Sequence, residues 1–150
     1  MTEPFFYEPD PEVPGWHRWG PRDVAIFTGI YGPIHVRAVA DDQAEVRFDP
    51  ADRQLGNVMG ALHGGALTGM LDIALFGGSA ALDACHVETS VTVELNTHFL
   101  SAGRMNGVVI VEFEVMRSTR RLLFARGVAR QGSDVLLQYS AIIRKGTSAA

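Results

Sequence analysis

Residues 60–82, GALHGGALTGMLDIALFGGSAAL, constrain this chain more than any other stretch. Between Gly64 and Leu82 the only charged residue is Asp72. The pattern predicts one long helix that starts at the pair Gly64-Gly65, with His63 just before it. A helix that is apolar nearly all round belongs in an interior. Three internal glycines, Gly69, Gly77 and Gly78, each cost about 1 kcal/mol relative to alanine in a helix. That cost implies that another backbone, or a ligand, comes very close. A lone carboxylate in such a helix needs partners or a task.

The flanking sequence supplies what the helix packs against. Ile34–Ala40 and Ala44–Phe48 read as two strands around the turn Asp41-Asp42, and Asp49–Met59 as the loop into the helix. After the connection Asp83–Glu88 the remainder alternates with a period of two. Val91, Val93, Leu95 and Phe99 fall on one face, with Thr92, Glu94, Asn96 and His98 on the other. Val109–Val115, Leu123–Arg130 and Val135–Ile143 repeat the pattern after short turns, so these strands are antiparallel neighbours for the most part. The expected fold is α+β, an antiparallel sheet of about five to six strands wrapped around one central helix. Residues 1–21 hold five of the seven prolines, and the first nineteen include Phe5, Phe6, Tyr7, Trp16 and Trp19. We expect an arm over residues 1–28 that forms no regular element but lies against the body. Pro21–Ile30 is expected as a short helix, and residues 29–147 as the main domain.

Composition narrows the function classes. At 150 residues, 47% hydrophobic and 20% charged, the chain has the size and make-up of one globular domain. A net charge of −4 argues against nucleic acid as a partner. The single cysteine, Cys85, is read as a plain buried thiol; no metal-binding spacing is present. The acidic, proline-rich start is unlike a secretory leader, and Asp72 interrupts the apolar run short of the ~18 residues of a membrane span. The expectation is a cytoplasmic protein with no membrane association. Five arginines lie between Arg117 and Arg130; they are either a solvated sheet face or a local phosphate site, since arginine forks match phosphate oxygens.

The segment Asn57-x-x-Gly60-x-x-His63-Gly64-Gly65, the acid nine positions after the histidine, and the strand Val91-Thr92-Val93-Glu94-Leu95 ending in Phe99-Leu100-Ser101 together resemble the hot-dog fold. They are similar to the acyl-CoA thioesterases of the 4-hydroxybenzoyl-CoA and phenylacetate-pathway type. The likeness covers about Gly32–Lys145. It implies a homodimer or dimer of dimers with the site between subunits, so that Asp72 of one faces the His63-Gly64-Gly65 helix start of the other. It implies hydrolysis of an acyl-CoA, with coenzyme A as part of the substrate and no separate cofactor or metal. One branch of the family carries a threonine one turn past the acid; here that position is Phe76. The other takes its hydroxyl from the following strand, where Thr92 matches, so this chain resembles the phenylacetate-type branch.

Thioester hydrolysis needs a nucleophile or base, and a place for negative charge on the carbonyl oxygen. A helix-start amide offers that place, because it lacks an intrahelical partner and the macrodipole favours negative charge. Gly64 or Gly65 is the expected donor; otherwise the glycines only allow the tight turn into the helix. Asp72 would attack the carbonyl or draw a proton from water, or else serve as a structural acid between subunits. Asn57 and Thr92 are candidate helpers that orient the acid or a water. His63 is read as an orienting residue rather than the base. Glu94 and His98, on the expected Thr92 face, line the site or the dimer contact, or else form a solvated face. Arg117, Arg120 and Arg121 are candidates for the CoA phosphates, and Leu67, Met70, Leu71 and the N-terminal aromatics for an acyl tunnel. A non-catalytic acyl-CoA-binding protein is the alternative. A hot-dog dehydratase would need an Asp-x-Asn-x-x-His stretch, which is absent.

Overall fold

The computed structural model describes residues 3–49 and 53–148. The expected loop Asp49–Met59 therefore lies partly outside the described residues. The chain runs β1 (Phe5–Pro9), β2 (His17–Pro21), a 3₁₀ turn at Phe27–Tyr31, β3 (Ile34–Ala40) and β4 (Gln43–Phe48). A second 3₁₀ turn, Arg53–Leu55, precedes α1 (Gly64–Ala81), and β5 (Val91–Phe99), β6 (Val109–Ser118), β7 (Leu122–Gln131) and β8 (Asp134–Arg144) follow. One sheet of eight strands is ordered β1-β2-β3-β4-β6-β7-β8-β5, and every neighbouring pair is antiparallel. Helix α1 touches β3, β4, β6 and, at the far edge, β5, so the sheet curves around it.

The sheet has eight strands rather than five or six because the arm folds into it. Phe5–Pro9 and His17–Pro21 pair as a hairpin whose second strand joins β3 at His17↔Val36 and Arg18↔His35. The prolines bracket this hairpin: they sit at strand ends and in its loop, where a missing N–H costs least. Side chains fasten it. Trp19 is buried and stacks on Phe5 with ring centroids 5.4 Å apart. Asp10 accepts a 2.8 Å bond from buried His35, and Arg37 lies 4.3 Å over the Trp16 ring. In place of the expected helix Pro21–Ile30 there is only the 3₁₀ turn Phe27–Tyr31. Gly29, tightly packed on the Val24 carbonyl, allows that fold-back.

The helix packs as its composition demands. Leu67, Met70, Leu71, Ala74 and Leu75 are buried against Val36, Val46, Phe48, Val109, Val111 and Phe113. Burying one such aliphatic side chain contributes about 1.5–3 kcal/mol. The internal glycines are approached by side chains, not by another backbone. At Gly69 a Cβ would overlap the Tyr31 hydroxyl, at Gly77 it would sit 3.2–3.3 Å from Val36 and Trp19, and at Gly78 2.5 Å from the Phe113 ring. Since Leu67, Met70 and Leu71 are fully used in this core, they do not line an open acyl tunnel. Among the described residues no helix is long and apolar enough to cross a membrane.

Candidate functional site

His63 caps the start of α1. Its backbone is extended, and its Nδ1 accepts the Gly65 N–H at 2.8 Å, which places the ring proton on Nε2. Histidine here does what serine or aspartate does at most helix starts. Two further bonds hold the position, from His63 N–H to the Leu55 carbonyl and from Leu62 N–H to the Gly103 carbonyl. With the Gly65 amide occupied, the Gly64 and Ala66 N–H groups are the first-turn donors that find no acceptor among the described residues, and Ala66 is buried. A Cβ at Gly64 would stand 3.4 Å from the half-exposed Phe99 ring, its one close neighbour off the helix among the described residues. Of the two candidate donors, the geometry favours Gly64.

Asn57 builds the loop before the cap. Its Oδ1 accepts from the Met59 and Ala61 amides at 2.9 and 3.1 Å, and its N–H donates to the Ala61 carbonyl. The side-chain oxygen is therefore committed to the turn, and only Nδ2 remains for a ligand. Within this chain no hydrogen bond joins Asn57 to Asp72 among the described residues.

Asp72 lies on a narrow exposed stripe of α1 shared with Gly65, whereas its neighbours Leu71 and Ile73 are buried. The expected buried acid is thus exposed in the single chain. Its Oδ1 accepts a 2.6 Å bond from the Thr92 hydroxyl. Strict alternation along β5 points Thr92 away from Asp72, towards Glu94, Asn96 and His98. A β-bulge reverses this: Thr92 pairs with Ile143 and Glu94 with Ile142, so Val93 is the extra residue. The bulge puts Thr92 on the helix-facing side with Leu95, Thr97 and Phe99 and leaves Glu94, Asn96 and His98 on the outer face. Bulges commonly re-aim a side chain in this way. Nothing in Val-Thr-Val signals one, which is why alternation alone misplaces the threonine. Glu94 instead accepts from Asn96 at 2.6 Å, away from Asp72.

Arg117, Arg120 and Arg121 lie at the β6–β7 turn, all exposed and without ion pairs among the described residues. Arg37, Arg47, Arg104, Arg126 and Arg130, by contrast, each pair with carboxylates. Register connects the turn to the acid. Thr92 sits beside Ile143, and Ile143 beside Leu123, so two strand spacings, about 10 Å, separate Thr92 from the start of β7. Cys85 is partly buried beyond the other end of α1. No group of three or more potential metal ligands occurs among the described residues.

One long helix held in a single antiparallel sheet, with its first turn and one acid left facing outward, defines the hot-dog class. Within it, the chain belongs to the Thioesterase superfamily, whose family model matches residues 59–138. No curated protein matches the chain significantly. Among solved structures it is similar to a conserved protein of Pseudomonas aeruginosa, with 26% identity and a TM-score of 0.65 over 83% of this chain and 98% of that one. A hypothetical thioesterase of Streptococcus pneumoniae, solved with coenzyme A, is 16% identical at a TM-score of 0.67, over 79% and 94%. The E. coli PaaI protein from the phenylacetic acid degradation operon is 16% identical at 0.66, over 84% and 88%.

Proposed function

We propose that this protein is an acyl-CoA thioesterase whose active site forms between two copies of the chain. The observation that carries the reading is the Thr92–Asp72 hydrogen bond on the exposed stripe of an otherwise buried helix. An aspartate held this way, with its other oxygen unpaired among the described residues, is placed to attack a thioester carbonyl or to take a proton from water. Thr92 fixes the carboxylate orientation, and the Gly64 amide receives the oxyanion. Asp72 and Gly64 are eight residues apart on α1, about 12 Å along the axis. A single carbonyl needs both groups within about 3 Å, so one chain cannot apply its own pair to one substrate. A two-fold partner can, since an isologous contact brings the helix start of each copy to the acid of the other.

Strand β5 supports that assembly. It is a free sheet edge with Val91, Val93, Phe99 and the following Leu100 exposed, and long apolar edges invite pairing with another chain. Arg117, Arg120 and Arg121 would hold the phosphates of coenzyme A, the ligand found in the S. pneumoniae structure. The proposed acyl group is aromatic or medium-chain, and the proposed location is the cytoplasm.

The test is release of free thiol from a panel of acyl-CoAs by the purified protein and by Asp72→Asn, together with mass in solution. Wild-type turnover that Asp72→Asn abolishes, with a dimer or tetramer mass, supports the reading. Equal turnover by both would sink the catalytic assignment, and a monomer at micromolar concentration would sink the shared site. Tight acyl-CoA binding without any hydrolysis would favour a non-catalytic acyl-CoA-binding protein.

A further inference from the structure

If Leu67, Met70 and Leu71 face the core, the acyl group must find its apolar surface elsewhere. On the Asp72 side of α1, β5 runs along one flank, where Thr92 reaches Asp72. The other flank is the 3₁₀ turn Phe27–Tyr31. Tyr31 is buried and its hydroxyl donates to the Ala66 carbonyl at 2.9 Å; burial pushes its pKa up to about 12, so it keeps that proton. Phe27 stands edge-on to the Tyr31 ring, centroids 5.7 Å apart. Both rings reach the helix only because residue 69 is glycine: a Cβ there would overlap the Tyr31 hydroxyl and lie 3.3 Å from Phe27. Gly69 and Asp72 are three residues apart, hence on the same face and about 4.5 Å apart along the axis.

Phe27 is nevertheless 61% exposed. An aromatic ring pinned by a buried tyrosine, one turn from an acid and open to solvent, forms half of an apolar contact. Val24, Ile26 and Ile30 of the same segment are also exposed. Phe99, the other large exposed ring near α1, packs at Gly64, the end of the helix that in the proposed dimer serves the other site.

We infer that Phe27 is the wall against which the acyl group of the substrate lies, and that the Val24–Tyr31 segment sets acyl selectivity. This rests on the thioesterase reading above. With the carbonyl held at Asp72, the first few carbons of the acyl chain reach the Phe27 ring, so the contact matters for larger acyl groups and is out of reach for acetyl. Apolar contacts of this kind discriminate between substrates by about 10–200-fold.

The experiment compares kcat/KM for acetyl-, hexanoyl-, decanoyl- and phenylacetyl-CoA in wild type, Phe27→Ala and Phe27→Leu, with the mass of each protein measured in parallel. The expected result is a drop of about tenfold in the preference of Phe27→Ala for the larger acyl groups over acetyl. Phe27→Leu should fall in between, and the mass should not change. A preference unchanged in both variants overturns the inference. So does a shift towards monomer, which would mean that a second copy covers Phe27 instead. If wild type turns over no thioester, the thioesterase reading fails by itself. The same panel is then read as calorimetric Kd values for the intact acyl-CoAs, and an unchanged difference between chain lengths in Phe27→Ala overturns the role of Phe27.

Discussion

The two halves of α1 meet opposite fates. The C-terminal half is sealed by its own chain: Trp19 of the β1–β2 hairpin and Val36 of β3 close on Gly77, and Phe113 of β6 closes on Gly78. The N-terminal half is left open. There Gly65 and Asp72 face outward, the Gly64 amide lacks an acceptor among the described residues, and the rings on either flank, Phe27 and Phe99, stay more than half exposed. One apolar sequence thus serves two purposes. Where side chains of the chain fill the groove, the glycines are a packing device; where they do not, the same residue type leaves room for a substrate or a second copy.

The sharpest way to break this comparison is to mutate both halves and read activity and stability separately. Asp72→Asn in the open half should reduce turnover by about 10²–10⁴-fold, the usual contribution of a positioned acid or base. Because Asp72 is exposed, its melting temperature should stay near that of wild type. Comparable loss of stability and activity would mean that the open half is structural too.

Gly78→Ala in the sealed half should do the reverse. Its Cβ would press on the ring of fully buried Phe113; overpacking of this kind costs about 1–3 kcal/mol, offset in part by the roughly 1 kcal/mol that alanine gains over glycine in a helix. For a chain of this size each kcal/mol lowers the melting temperature by roughly 2–4 °C. Per-molecule turnover well below the melting temperature should change far less than in Asp72→Asn. A Gly78→Ala variant more stable than wild type, as helix propensity alone would give, would show that the groove is looser than its contacts imply.

Gly69 lies at the boundary, where the two behaviours can be separated by coupling. Gly69→Ala clashes chiefly with one atom, the Tyr31 hydroxyl, so Tyr31→Phe should relieve part of that clash. The double variant should be more stable than the sum of the singles by about 0.5–3 kcal/mol, the range found for residues in contact. Additive effects, measured by denaturant unfolding, would mean that the Phe27–Tyr31 turn does not press on the helix.

This division was partly legible from residues alone. The limits of α1, β3 and the β6–β8 strands follow from hydrophobic periodicity, and the special status of Asp72 from its isolation in an apolar run. Two things were hidden. Proline richness in residues 1–21 suggests an irregular arm, but prolines at strand ends and in a hairpin loop are compatible with a sheet; what decides the outcome is the long-range docking of Trp19 and Asp10, which no local pattern encodes. The bulge at Val93 is likewise set by pairing with β8. A one-residue slip reverses every side chain, so the face on which Thr92 lies could not be read from alternation. Spacing also says nothing of how Asn57 divides its side chain: its oxygen is taken up by its own loop, which leaves only Nδ2 for the helper role.

The smallest expected effect concerns how the sealed half is fastened. Asp10 holds the hairpin to β3 through His35, whose ring is buried and whose Nδ1 has no partner among the described residues. The Asp10 carboxyl is held below the usual carboxylate value of 3.8, chiefly by the hydrogen bond from His35 and next by the Glu12 amide. With the native value below the unfolded one, the unfolded chain binds more protons between the two, and stability rises with pH across that interval. The contribution is therefore complete above about pH 4 and is lost as pH falls through the lowered native value. Asp10→Asn should remove this component and flatten the acid limb of the hairpin's response, measured by fluorescence of Trp16 and Trp19 between pH 5 and pH 2. Thioester hydrolysis at neutral pH should respond little, because the clasp lies on the half of the molecule that the proposed chemistry does not use. An acid limb identical in wild type and Asp10→Asn would show that the stacked aromatics, and not the Asp10–His35 pair, fasten the arm.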